Sequence, residues 1–122
     1  MAARPAVRDE LLAGDVALMT PDFTRVEHAE ALRQKGLLVD VLNHDEYLAA
    51  VQSLDVMGVD VVALDSDDLL RAAALAARRN LRMLDAISAS LALDRGHPLL
   101  TADARAARAL AGVVDVEVLE GI

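Results

Sequence analysis

Residues 84–103 constrain the fold more than any other stretch. Leu84, Ile87 and Leu91 recur at helical spacing, and the alanines between them widen the apolar face. Gly96 and Pro98 stop that helix. Pro98-Leu99-Leu100-Thr101 is then a short apolar run, the pattern of a strand covered on both faces. A helix at about 1.5 Å per residue carries the chain roughly 15 Å from Asp85 to Arg95. A strand at about 3.3 Å per residue brings it back by roughly 16 Å. Asp85 and Asp103 are therefore expected at the same end of the unit, beside the C-terminal edge of a strand. Open α/β sheets build their sites at that edge. Two neighbouring carboxylates repel unless a cation sits between them, and hard oxygen ligands suit Mg²⁺ or Mn²⁺.

The rest of the chain alternates in the same way. Met1 to Pro5 is expected to be a loose end, and Ala6 to Leu12 a short helix closed by Gly14. Val16 to Thr20 reads as a buried strand. Pro21-Asp22 opens a helix to about Lys35, capped by Asp22 or Thr24 and stopped by Gly36. Its apolar stripe is Phe23, Val26, Ala29 or Glu30, and Leu32. Leu37 to Leu42 joins this helix to the next. Asn43 and Glu46 have the spacing of a capping box. Tyr47, Leu48, Val51, Leu54 and Val56 form the stripe of the helix they start, and Gly58 ends it. Val59 to Leu64 is a second strand. Ser66 caps the following helix, with Asp67 and Asp68 in its first turn and Arg78 and Arg79 in its last, an order that suits the helix dipole. After the 84–103 unit, Asp103 opens a helix ending at Gly112, and Val113 to Leu119 is a last strand. Alternating strands and helices predict a mainly parallel sheet with right-handed crossovers.

The 122 residues make one domain, residues 1–122, long enough for a real core. With one Phe, one Tyr and no Trp, there is no aromatic platform for stacking bases. A net charge of −8 argues against a general electrostatic grip on nucleic acid, though less so against a metal nuclease whose acids are ligands. Disulfides and thiolate metal sites are excluded, since there is no Cys. His28, His44 and His97 lack zinc-ligand spacing. No apolar run approaches the ~20 residues of a membrane span, and no signal peptide is expected. Nothing points to a compartment other than the cytoplasm.

Leu84-Asp85-Ala86, with Leu99-Leu100-Thr101-Ala102-Asp103 downstream of it, resembles the C-terminal half of a PIN domain, most of all the VapC ribonuclease toxins. The resemblance extends more weakly over residues 6–119. It implies a PIN-like three-layer α/β/α fold. One departure stands out. The family begins with a strand ending in Asp, a principal metal ligand, and no such stretch is present. Relative to the family the chain reads as N-terminally truncated: its start lies upstream of Met1, or it is a degenerate remnant. A sheet without that strand would have an open slot with unpaired edges, inviting dimerisation.

The resemblance makes Glu27, Asp85 and Asp103 candidate metal ligands and catalytic residues, with Thr101 orienting a carboxylate or a metal-bound water. Each also has a structural role available. Asp85 suits a helix N-terminus. Asp103 suits an N-cap. Glu27 suits a solvated helix face, and Thr101 a strand. Arg78, Arg79 and Arg82 either bind phosphate or complement a helix C-terminus. The function implied is a metal-dependent endoribonuclease using Mg²⁺ or Mn²⁺, with RNA as substrate, a VapB-like antitoxin and a homodimeric state. The alternative is a catalytically degenerate PIN-like module acting in dimerisation or partner binding.

Overall fold

The computed structural model describes residues 2–4, 10 and 17–119. Its strands are short and parallel. Strand β1 (Ala2–Arg4) pairs with β5 (Val116–Leu119), which pairs with β4 (Leu99–Thr101). Strand β2 (Met19–Pro21) pairs with β3 (Asp60–Val62). The ladders register Ala3 with Val118, Leu100 with Glu117, and Thr20 with Val61. The mixed α/β architecture with parallel strands agrees with the α/β/α expectation.

The N-terminus departs from expectation. Ala2–Arg4 is a strand on the outer side of β5 rather than a loose end. Its sequence has no β-branched residue, and its conformation comes from pairing with an edge already fixed by β4. The helix expected at residues 6–12 lies outside the described residues except for Glu10, which is helical. Strand β2 is displaced towards Pro21, whose missing N–H is tolerated on an edge. Strand β3 is shorter than the 59–64 run.

Helix α1 (Phe23–Leu32) starts at Asp22, but no side chain caps it. Thr24 instead accepts a 2.8 Å hydrogen bond from Thr20. Gly36 does not stop the helix either. A π-helical turn, Arg33–Leu37, continues through it, and the left-handed residue beyond is Asp40. What Gly36 permits is close approach: a Cβ there would lie 2.6 Å from Leu42 Cδ1. The expected box of Asn43 and Glu46 is present and starts α2 (His44–Val51). That segment breaks at Gln52 into a further turn, α3 (Ser53–Val56). Tyr47 donates to Ala29 O, His28 Nε2 lies 3.1 Å from both Ala50 O and Ser53 Oγ, and Arg25 pairs with Asp55, so polar contacts join the two segments. The expected stripes are covered only in part: Phe23 packs against a core cluster and Leu32, Tyr47 and Val51 are half-buried, but Val26 is 72% exposed, Leu48 60% and Val56 83%.

The second half follows the sequence more closely. Gly58 and Gly96 both take positive φ where helices end. Helix α4 (Ser66–Arg79) is capped by Asp65, not Ser66, in a reciprocal box with Asp68. The backbone N–H of Asp68 holds the Asp65 carboxyl below its ordinary range. Helix α5 (Met83–Arg95) and helix α6 (Ala104–Leu110) flank β4 in sequence. Leu75, Ala89, Ala107, Leu110, Val114 and Val116 form one core cluster; Ala72, Ala86 and Ile87 form a second. Helix α5 contributes to both. Val116 and Val118 pack against the same cluster, so they face one side as the pattern predicts.

Among the described residues, β2 and β4 each have a strand partner on one side only. A groove of about 620 Å³ opens between them, floored by Ser88, Leu91 and Ala92 of α5. No helix among the described residues is long and apolar enough to cross a membrane.

Leu110 is 1% exposed at the centre of the larger cluster. Leu110→Ala should lower unfolding stability by about 2–5 kcal/mol. Urea denaturation followed by circular dichroism measures this; a loss well under 1 kcal/mol would show that the core is not centred there.

Candidate functional site

Asp85 lies in the first turn of α5, where its charge suits the helix dipole. Its side chain is only 14% exposed. Arg82, the N-cap residue of α5, brings Nε to 3.4 Å from Asp85 Oδ2. Arg82 therefore sits at a helix start, not at the helix C-terminus that its spacing from Arg78 and Arg79 suggested. Those two do occupy the last turn of α4, and Arg79 donates to Gly112 O at 3.3 Å.

Asp103 is the N-cap of α6. Its Oδ1 accepts from the backbone N–H of Arg105 at 2.9 Å and of Ala106 at 3.3 Å. Thr101 Oγ1 accepts from the Asp103 N–H at 3.1 Å. The hydroxyl thus fixes the turn between β4 and α6, and with it the direction of the Asp103 carboxylate. Capping uses one carboxylate oxygen and leaves Oδ2 turned elsewhere.

The two aspartates do meet at one end of the helix–strand unit. Arg105 joins them: its Nη2 is 3.2 Å from Asp85 Oδ2 and 3.8 Å from Asp103 Oδ2. One guanidinium nitrogen therefore faces both carboxylates and offsets their repulsion. Arg105 was not singled out from the sequence. A cation two residues into the helix that Asp103 caps was the available signal.

Glu27 does not join this pair. It is exposed in the second turn of α1. Among the described residues, no three of His, Cys, Asp and Glu gather closely enough to hold a metal ion. The groove between β2 and β4 does not reach the aspartates either; its walls are mainly apolar, with Thr20, Thr24, Asp60, Ser88, His97 and Glu117 as polar members.

The donor set still suits a hard cation. Mg²⁺ keeps several waters and is commonly held by one or two carboxylates together with substrate phosphates. Asp85 and Asp103 supply two, from the ends of a helix and a strand whose positions are fixed by the core. Arginine in the same place supplies a fork that matches phosphate as well as carboxylate.

No curated protein matches the chain. The family model for the PIN domain matches residues 1–111, which covers β1 through α6 and includes Glu27, Asp85, Thr101 and Asp103. Members of this family are generally metal-dependent nucleases. With its parallel α/β architecture and its paired aspartates at one end of α5 and β4, the chain belongs to the PIN domain family.

Proposed function

We propose that the chain is a metal-dependent endoribonuclease of the VapC-like toxin type, hydrolysing RNA phosphodiesters with Mg²⁺ or Mn²⁺. The observation that carries this reading is the convergence of Asp85 and Asp103 on one arginine nitrogen, in a family of nucleases. Asp85 and Asp103 would hold the cation, with waters and substrate oxygens completing its shell; Glu27, which stands apart from the pair, is left out of the set. The bound cation supplies acidification of a water and stabilisation of charge developing on the phosphodiester. Thr101 holds the Asp103 turn in place. Asp85, largely desolvated at a helix start, keeps its carboxylate turned towards the same arginine nitrogen. Arg82 and Arg105, paired with these aspartates, would contact a phosphate of the substrate.

An RNA substrate has to approach a chain of net charge −8, so its grip is local to these arginines and the cation rather than spread over the surface. A homodimer and a VapB-like antitoxin complete the reading. Exposed Val26, Leu48 and Val56, and the single-sided edges of β2 and β4, offer apolar surface and backbone groups for another chain. The site of action is the cytoplasm, where RNA is available.

A second reading has one observation in its favour: Glu27 stands apart from the aspartates. A catalytically degenerate PIN-like module would keep the fold and the pair for structural reasons, Asp103 as a cap and Asp85 as an ion-pair partner.

Cleavage of a panel of structured and single-stranded RNAs separates the two. We expect cleavage with Mn²⁺, none with EDTA, and a loss of about a hundredfold or more in Asp85→Asn and Asp103→Asn. Asn caps a helix as well as Asp does, so Asp103→Asn should change stability by no more than about 0.5 kcal/mol. Absence of cleavage by the folded chain across the panel would favour the degenerate module.

A further inference from the structure

We infer that Arg105 is a built-in cation that occupies the space between Asp85 and Asp103 and must be displaced when a divalent cation binds there. This rests on the metal-nuclease reading of the same site and adds a means of regulating it. Three features of the geometry carry it. First, a single atom, Arg105 Nη2, faces Oδ2 of both aspartates, at 3.2 Å and 3.8 Å. A positive charge is thus already held within ion-pair distance of both carboxylates. Second, the capping bonds to Asp103 use Oδ1, so Oδ2 is the oxygen that either cation must share. Third, Arg105 can leave without loosening the cap. The cap is made by its backbone N–H, while its side chain is 46% exposed and long enough to turn to solvent. Arg82 differs: it reaches Asp85 alone, from the start of the same helix.

Displacement has a consequence for substrate. A guanidinium freed from two carboxylates beside the site becomes a phosphate ligand without any movement of the backbone. Cation binding and RNA binding would then reinforce each other: the metal releases the arginine, and the phosphate gives the arginine a new partner. By linkage the coupling is reciprocal, so a phosphodiester that captures Arg105 raises affinity for the metal.

The test is direct Mn²⁺ binding, read by electron paramagnetic resonance of free Mn²⁺, with no RNA present. Arg105→Gln removes the competing charge and keeps the backbone cap. It should bind Mn²⁺ about fivefold more tightly than the unaltered chain, the order expected from deleting one partly exposed ion pair. Arg105→Lys keeps a charge but not the fork, and should fall between. Arg108→Gln controls for the general field and should change affinity by less than about twofold, while Arg82→Gln, which takes a charge from Asp85 alone, should gain less than Arg105→Gln. A non-cleavable single-stranded DNA oligonucleotide should then tighten Mn²⁺ binding to the unaltered chain but not to Arg105→Gln. Equal Mn²⁺ affinity in the unaltered chain and Arg105→Gln, equal gains from Arg82→Gln and Arg105→Gln, or weaker binding in Arg105→Gln would each overturn the role of Arg105 and leave the nuclease reading standing. No Mn²⁺ binding by any folded variant would overturn both.

Discussion

Close packing through alanine holds this molecule together. Ala72 of α4 and Ala86 and Ala89 of α5 are completely buried, and Ala107 of α6 nearly so. Residues without side chains beyond Cβ let helix backbones approach and leave little freedom in how they sit. Helix α5 is gripped on two sides in this way, by the Ala72–Ile87 cluster and by the Leu110 cluster. Its first turn, and Asp85 with it, is thereby fixed relative to β4. The turn after β4 is fixed in its own right by Thr101 and by the Asp103 cap. The site is the place where these two constraints meet. A chain with few aromatic side chains can position a pair of carboxylates this way because the positioning comes from short contacts, not from large ones.

Electrostatics at that meeting point is a balance of opposites. The chain carries 20 acidic residues against 12 Lys and Arg. At Asp85 the local balance is reversed, since two arginines share one carboxylate oxygen. Exposed ion pairs contribute little to stability, on the order of 0–1 kcal/mol. Arg82 and Arg105 are therefore better understood through what they do to the site than through what they add to the fold. They keep two converging carboxylates compatible with the folded state, and both present guanidinium groups to whatever anion approaches.

Much of the chain from Asn43 onward was legible in sequence because its signals are local. Gly58 and Gly96 take left-handed conformations that glycine alone adopts freely. The Asn43 box is complete within four residues. The meeting of Asp85 and Asp103 followed from rise per residue alone. The cap at Asp65 was missed in favour of Ser66 although its signal is local too: only Asp65 has a partner, Asp68, at the right spacing to bond back. What the sequence concealed was tertiary. Ala2–Arg4 is a strand because β5 offers it an edge. Val26, Leu48 and Val56 obey helical spacing, yet nothing among the described residues covers them, since periodicity says which face a residue is on and not what that face meets. The distance of Glu27 from the aspartates is of the same kind: its helix leaves β2, in the other sheet.

The central claim is that Asp85 and Asp103 form a cation site at the start of α5 and α6. Mn²⁺ titration monitored by backbone amide NMR tests it most directly, because paramagnetic broadening reports position without any assumption about activity. The account predicts that the first signals lost are those of residues 83–86 and 102–106, and that Asp85→Asn abolishes the loss. Broadening confined to the other acidic helix starts, Asp45-Glu46 and Asp67-Asp68, would contradict it.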